Sequence, residues 1–557
     1  MNNTITDPNT ILQIAKSEMQ KGNLDLAENI YNNFLRINPN NSEIIYLLGT
    51  LKIKKDDTEK GITLIEQSLL LKNNNEYAWN NLGIGYLKKN NIKKAIECFN
   101  SALTINPLFE NALTNRILAF ERNSNHSGII NDYNTLIKIN PNNPINYLNI
   151  GKTYNQIKEY KKAIPYFAQA ISLDSNNFSA FINRGISYKG LNCFVNAYYD
   201  FRRASHINPK NFAPYNNLGT INHLLGKYKT AEKYYKKALT CSINNDTILF
   251  NLSLIQLVKG RFKDGWKLYE HRWDGNENIK KTKYLHFGFK EPIWDGKTSI
   301  KNKKIFVHIE QGFGDTLQFC RYLLLLKGLG AKVLMNSSKP LTRILNTLPI
   351  EYTLLDKNVI PPFDLHIPLL SLPYAFQTTL KTIPSFVPYL STKPHDQLKW
   401  FKLLGNKKKP RIGLAWSGSN NHALNHLRSL SLKDLSPLLE LPYEFHSLQI
   451  NYTNDDDNFI RNKKSIINHQ TSISDFYDTA CLINEMDLVI CVDTSVAHLA
   501  GALNKPVWIM LQHSPDFRWL LGRNDSPWYP SAKLFRQKIY NNWNSVIESI
   551  KKELRNL

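Results

Sequence analysis

Between residues 76 and 109, apolar and small residues fall at Trp79, Leu82, Gly83, Tyr86, Ala95, Phe99 and Ala102, and Pro107 closes the stretch. This spacing predicts two amphipathic helices, each burying one stripe. The pattern returns every 34 residues. Tyr147, Gly151, Tyr154, Ala163, Phe167 and Ala170 occupy it two frames later, followed by Phe181, Gly185, Tyr188, Ala197, Phe201, Ala204 and Pro209. Small residues let the helices of a pair approach, and aromatic ones fill the space to the next pair. Proline ends the second helix, since it cannot continue the hydrogen-bond ladder, and Pro39, Pro107, Pro141 and Pro209 share that slot. A weaker frame begins near Pro8 and a degenerate one near Ser42. The pattern persists through Ala231, Tyr235 and Ala238, then Leu249, Leu252, Gly265 and Tyr269. About eight uninterrupted frames predict an α-helical solenoid over 8–279, with atypical end repeats because one face there lacks a neighbour.

In period and residue pattern this region resembles the tetratricopeptide repeats. Asn81, Asn115, Asn149, Asn183, Asn217 and Asn251 recur 34 apart, which puts them on one face. A carboxamide offers two donors and a carbonyl acceptor, so it can match both groups of a peptide backbone. The series therefore predicts a groove for an extended polypeptide. The alternative is that asparagine is simply frequent at this repeat position in an Asn-rich chain. Gln13 and Leu47 hold the position in the first two frames, so the groove is expected to begin at the third repeat.

The period changes after Trp273. A polar stretch follows to about Asn302, with Pro292-Ile293-Trp294-Asp295-Gly296 as a turn, and 280–302 reads as a linker. Strand-like apolar runs then alternate with helical segments, the pattern of a parallel sheet covered by helices. Lys304–Ile309, Lys332–Met335 and Leu365–Leu369 form one block. Arg411–Ala415, Phe445–Gln449, Leu488–Val492 and Val507–Leu511 form another. We assign 303–400 and 401–557 as two Rossmann-like halves, whose facing strand ends leave a crevice.

Composition changes this picture little. The net charge is +24, but the lysines are scattered and no basic stripe is interleaved with aromatics, which argues against nucleic acid as a partner. Heavy use of Lys, Asn and Ile fits a compositional bias, and attraction to acidic substrates or anionic lipid is the other reading. Six scattered cysteines without a Cys-x-x-Cys pair read as reduced core residues of a cytoplasmic protein. No signal-peptide pattern or transmembrane run is evident in the sequence.

Candidate chemistry lies at two strand ends. The first strand runs into Glu310-Gln311-Gly312-Phe313-Gly314-Asp315, where Gly312 and Gly314 allow a tight turn and Asp315 stands at a helix mouth. Its plain alternative is a helix-terminal carboxylate favoured by the dipole. The loop is neither a dinucleotide fingerprint nor a phosphate loop. In the second block Asp493-Thr494-Ser495-Val496-Ala497-His498 follows a buried strand, offering free amides and a histidine to an anion. Capping by Asp493 and a core histidine are the alternatives. Ser417 and Gly418 end another strand. Arg428, in a polar loop, could pair with a diphosphate or merely form a surface ion pair. Asp455-Asp456-Asp457 reads as a solvated loop, and His422 with His426 lacks a third metal ligand in view. The aromatic segments Pro515–Trp519 and Ser526–Pro530 either stack on a ligand or pack in the core.

At these residues the second half resembles the glycosyltransferase family that includes the lipopolysaccharide heptosyltransferases, over roughly residues 303 to 540. The whole chain resembles bacterial tetratricopeptide proteins fused to such a domain, and the O-linked N-acetylglucosamine transferases. The resemblance implies a GT-B fold, two Rossmann-like domains, and an inverting transfer without a metal or other cofactor from a nucleotide-diphosphate sugar. Asp315 matches the family's catalytic aspartate. Asp493, Thr494, Val496 and His498 match its diphosphate loop, where Ser495 stands in place of glycine, and Ser417 and Arg428 match its hydroxyl-rich strand end and the basic residue that follows. The expected function is glycosylation of a hydroxyl acceptor, a Ser or Thr of a protein held by the repeats. A glycan or lipopolysaccharide-type acceptor, and a non-catalytic scaffold, are the competing readings.

Overall fold

The computed structural model describes residues 8–281, 283, 288–348, 352–355, 361–419, 425–463 and 465–556. Two compact units divide the chain, Met1–Pro209 and Lys210–Leu557.

The first unit is a run of consecutive helix pairs, from Pro8–Lys21 with Leu24–Ile37 to Phe178–Gly190 with Phe194–Ile207. The repeat glycines explain how closely the helices of a pair pack. A Cβ on Gly83, Gly151 or Gly185 would stand 2.5–2.6 Å from the ring of Phe99, Phe167 or Phe201, so only glycine admits the aromatic ring. A second asparagine series caps the first helix of four pairs, with Phe109 standing in the slot of the pair between Asn75 and Asn143. Oδ1 of Asn41, Asn75 and Asn177 accepts from the amides of Ile44, Ala78 and Ala180 at 3.1, 3.1 and 2.9 Å, and Asn143 accepts from Ile145 at 3.0 Å.

The second unit begins with two further helix pairs, Phe212–Leu224 with Tyr228–Cys241 and Asp246–Val258 with Phe262–Tyr269. The last of these helices is built into the α/β core that follows. Trp266, 1% exposed, packs edge-on against Phe319 and Phe517 at centroid distances of 6.1 and 5.6 Å. Arg272 is wholly buried and grips Glu310 through two bonds, Nε–Oε2 at 2.7 Å and Nη2–Oε1 at 2.8 Å. A buried guanidinium is tolerated when a carboxylate faces it in this bidentate way. This clamp fixes the start of the catalytic-loop candidate to the end of the repeats.

Two parallel sheets follow. The strands β1 (Lys304–His308), β2 (Lys332–Asn336), β3 (Tyr352–Leu355) and β4 (Leu365–Pro368) lie in the order β3-β2-β1-β4. The strands β5 (Arg411–Ala415), β6 (Glu444–Ser447), β7 (Leu488–Val492), β8 (Val507–Leu511) and β9 (Ala532–Arg536) lie in the order β6-β5-β7-β8-β9. All registers are parallel. Two edge strands fall outside the apolar runs of the sequence. β3 is only four residues long, and β9 carries Lys533, whose ammonium lies over the rings of Trp508 and Phe535. The Pro292–Gly296 turn also does more than connect: Ile293 bridges to His366 of β4 and Trp294 is buried. Among the described residues, no helix is long and apolar enough to cross a membrane.

Candidate functional site

Strand β1 delivers the helix Phe313–Phe319, with Asp315 in its first turn. Oδ2 of Asp315 accepts the amide of Gly312 at 2.9 Å, which closes the loop on itself. Oδ1 accepts from Nη2 of Arg518. Arg518 also donates to Gln318 Oε1 at 2.6 Å and to Asp516 Oδ1 at 2.8 Å. Burial raises the pKa of Asp315, Asp516 adds to the rise, and the Arg518 cation opposes it.

Strand β7 delivers the helix Ser495–Ala502 through Asp493 and Thr494, whose backbone is extended. The amides of the first helical turn have no partner within the helix and lie at its electropositive end. The side chain of Val496 is 7% exposed and packs in the core, which leaves only its amide for a ligand. The two helix starts meet at Gly314. A Cβ there would stand 3.0 Å from Cδ2 of His498 and 3.6 Å from Cα of Ser495, so the glycine permits this close approach.

His498 is buried against Trp519, the rings 5.4 Å apart and nearly parallel, and its Nδ1 lies 3.0 Å from the Tyr529 hydroxyl. Burial, helped by Arg518, Arg321 and Arg428, pushes its pKa well below the usual histidine range, so the ring is neutral. The carboxyl of Asp493 is pushed up to about 6 by burial and by Asp516, against the pull of Arg428. Arg428 lies in a single helical turn, Asn425–Arg428, and its Nη1 donates to the Asp493 carbonyl at 3.0 Å. Gly418 makes room for it, since a Cβ there would meet Nη2 at 2.5 Å. Ser417 holds the loop: its amide donates to Gln449 and its Oγ lies 3.2 Å from that of Ser429.

Most of these groups border one cleft of about 800 Å³ within the second unit, but Ser417, Gly418 and Val496 do not line it. Its walls include Gly312, Gly314 and Asp315 on one side, Arg428, Asp493, Thr494, Ser495 and His498 on the other, and Asp516 and Arg518. The final two helix pairs complete it with Thr220, Tyr235, Phe250 and Asn251. Asn251 thus opens onto the same cavity as Asp315.

All six ladder asparagines are partly buried. Each donates from its amide nitrogen within its own unit, Asn81 to two acceptors. Asn81 bonds Tyr46 and Thr50, Asn115 bonds Asn80, and Asn149 bonds Tyr133. Asn183 and Asn217 bond the carbonyls of Ser179 and Ala213, and Asn251 bonds Asn216.

Other readings need correction or placement. Cys193 is exposed and Cys241 half-buried, so these two are not core residues, whereas the other four cysteines are buried. Asp455, Asp456 and Asp457 begin the helix Asn454–Lys463 instead of a solvated loop, and Asp456 is buried, accepting the Leu432 amide at 2.8 Å. His422 lies outside the described residues, and His426 is exposed. Trp519, Trp528 and Tyr529 are wholly buried, so they pack in the core and do not offer a face to a ligand. Sequence reasoning missed Arg518 and Asp516. The one available signal was their position just beyond β8, on the ligand-binding edge of the sheet.

Comparisons with known proteins agree with this architecture. Models of the tetratricopeptide repeat match residues 76–109, 146–177 and 213–241, and the glycosyltransferase family 9 (heptosyltransferase) model matches 470–553. That last segment contains Asp493–His498, Arg518 and Tyr529. Protein FlbA of Caulobacter vibrioides is 25% identical over 187 residues, 32% of this chain, which spans only 31% of that protein's length. Among solved structures, a tetratricopeptide repeat protein from Parabacteroides merdae is 19% identical, with a TM-score of 0.30, over 44% of this chain and 98% of that one. The C-terminal part of a repeat protein from Cytophaga hutchinsonii is 16% identical, with a TM-score of 0.38, over 43% and 98%. The chain therefore joins tetratricopeptide repeats to a C-terminal glycosyltransferase family 9 region.

Proposed function

We propose that this fusion is an inverting, metal-independent glycosyltransferase that moves a sugar from a nucleotide-diphosphate donor to a Ser or Thr hydroxyl of a polypeptide presented by the repeats. One observation carries the reading: a single cleft is bordered by the Asp315 loop, by the Asp493–His498 helix start and by the inner residues of the last repeats.

Asp315 takes the proton of the acceptor hydroxyl as that oxygen attacks the anomeric carbon. The bond from that carbon to the donor phosphate breaks, and its electron pair leaves with the diphosphate. General-base assistance of this kind is worth roughly 10²–10⁴-fold. The first-turn amides of Ser495 and Val496, with Thr494, Arg428 and a neutral His498, receive the charge that develops on the diphosphate. Burial favours the neutral acid of Asp315, and the Arg518 cation opposes that protonation. Ser417 and Gly418 hold the loop against which Arg428 rests.

The acceptor side differs in character. Thr220, Tyr235, Asn251, Tyr269, Asn276 and Asn278 line it without a formal charge, which suits a neutral stretch of polypeptide. The short first α/β half leaves this surface to the repeats, and the asparagine series would grip backbone without reading side chains.

Screening ADP-, UDP-, GDP- and CMP-sugars by thermal shift identifies the donor, since ligands of the folded form raise Tm. Transfer to peptide and glycan acceptors is then compared for the native chain and for Asn217→Ala/Asn251→Ala. Loss of peptide transfer with donor binding intact supports the reading. Transfer to glycans alone, or peptide transfer untouched by the substitutions, rejects the polypeptide acceptor.

A further inference from the structure

Behind the cleft lies a buried cation that the transfer chemistry does not use. Arg321 is wholly buried and, among the described residues, faces no carboxylate. It donates to the carbonyls of Gln318, Pro384 and Trp528 at 2.9, 2.9 and 2.8 Å, and to the Tyr389 hydroxyl at 2.9 Å. The rings of Tyr389 and Tyr529 lie 4.4 and 4.6 Å from its guanidinium carbon. Tyr389 in turn gives its proton to the Leu317 carbonyl at 2.8 Å.

Tyr529 then has two possible takers for its own proton. The Tyr389 oxygen is 3.5 Å away, beyond the usual range for O–H···O, and already accepts from Arg321. Nδ1 of His498 is 3.0 Å away. If Nδ1 carried the imidazole proton and donated it to Tyr529, the buried phenol proton would lack a good acceptor, which is costly.

We propose that Tyr529 donates to Nδ1 of His498 and so fixes the imidazole as its Nε2–H tautomer, an N–H donor facing the cleft beside Gly314. Stacking on Trp519 fixes the plane of the ring, and the Arg321–Tyr389–Tyr529 cluster fixes which nitrogen holds the proton. Tyr529 is thus a positioning residue, and His498 presents a donor with no lone pair toward an incoming anion. The same arrangement makes His498 a neutral hydrogen-bond donor instead of an acid. That the anion is a diphosphate rests on the transferase reading; the tautomer does not.

The test is nitrogen NMR on the full chain labelled with ¹⁵N-histidine, with His498 assigned by loss of its signals in His498→Gln. The expected native signature is a pyridine-like Nδ1 and a pyrrole-like Nε2. In Tyr529→Phe, which keeps the ring, a tautomer mixture replaces it, and ADP or UDP, whichever the native chain binds, binds about tenfold more weakly. A native Nδ1–H signature overturns the proposal, and so does an unchanged tautomer in Tyr529→Phe, even if affinity falls. Should that variant not fold, the native spectrum alone decides. The native tautomer without any nucleoside-diphosphate binding supports the proposal and counts against the transferase reading.

Discussion

The carboxylate of Asp315 is held from two sides: Arg518 donates to Oδ1, and the Gly312 amide donates to Oδ2 at 2.9 Å. The proposed base is therefore oriented before any substrate arrives. Burial and the nearby Asp516 raise its pKa, while Arg518 opposes the rise.

Removing the cation should shift the pH dependence in a known direction. A base works deprotonated, so Arg518→Ala raises the pKa of Asp315 and moves the acid limb of kcat/KM to higher pH, whereas Asp315→Asn lowers turnover by roughly 10²–10⁴-fold above the acid limb and abolishes that limb. Profiles of kcat/KM against pH for both variants check this. An acid limb unmoved in Arg518→Ala contradicts the pairing.

Asp493 makes a separate prediction about stability. Its folded pKa of about 6 lies above the unfolded carboxylate value near 3.9. The folded state therefore holds the proton more tightly. The associated stability is complete below about pH 4 and is lost as pH rises through about 6. Asp493→Asn escapes this loss, so it should exceed the native chain in stability by roughly 2–3 kcal/mol at about pH 8 and match it near pH 4. Urea unfolding at both pH values measures the difference.

Gly418 tests the anion contact without touching the cradle. A methyl group there falls 2.5 Å from Nη2 of Arg428 and 2.7 Å from Oδ1 of Asn425, both side-chain ends, so these two side chains shift while the backbone stays. Gly418→Ala should weaken nucleoside-diphosphate binding about tenfold, one charge-assisted hydrogen bond, with Tm nearly unchanged. Calorimetric titration beside a melting curve separates the two effects.

The two asparagine series should separate in the same way. Asn177→Ala removes a helix cap and should cost about 1 kcal/mol of stability without changing acceptor KM. Asn251→Ala, at the cleft, should raise acceptor KM. A ladder substitution that affects only Tm would reduce that series to packing.

Much of this was readable from the chain because it is local. A 34-residue period needs only neighbouring pairs to bury their stripes, and the Phe99-against-Gly83 contact repeats with it. The loops at Asp315 and at Asp493–His498 each follow directly from one strand into one helix. What stayed hidden depends on distant packing. Arg518 reaches Asp315 across 203 positions, and its aromatic neighbours mark the segment without marking the ion pair. Trp266 reads as the end of a repeat yet serves the α/β core, while β3 and β9 lie at sheet edges where short or polar strands suffice. Asn41, Asn75, Asn143 and Asn177 looked like background in an Asn-rich chain, but they cap helices.

The most direct measurement is calorimetric titration of ADP, UDP, GDP and CMP into the native chain and Ser495→Asp. Ser495 opens the helix at the cleft, where a carboxylate suits the helix dipole and spares the fold but repels an incoming diphosphate. One nucleoside diphosphate (ADP, UDP or GDP) should bind the native chain with a stoichiometry of about one, as a single diphosphate cradle requires, and fail to bind the variant, with the monophosphate CMP as the control. Absence of binding to the native chain, or equal affinity in Ser495→Asp, would contradict a diphosphate cradle opposite Asp315.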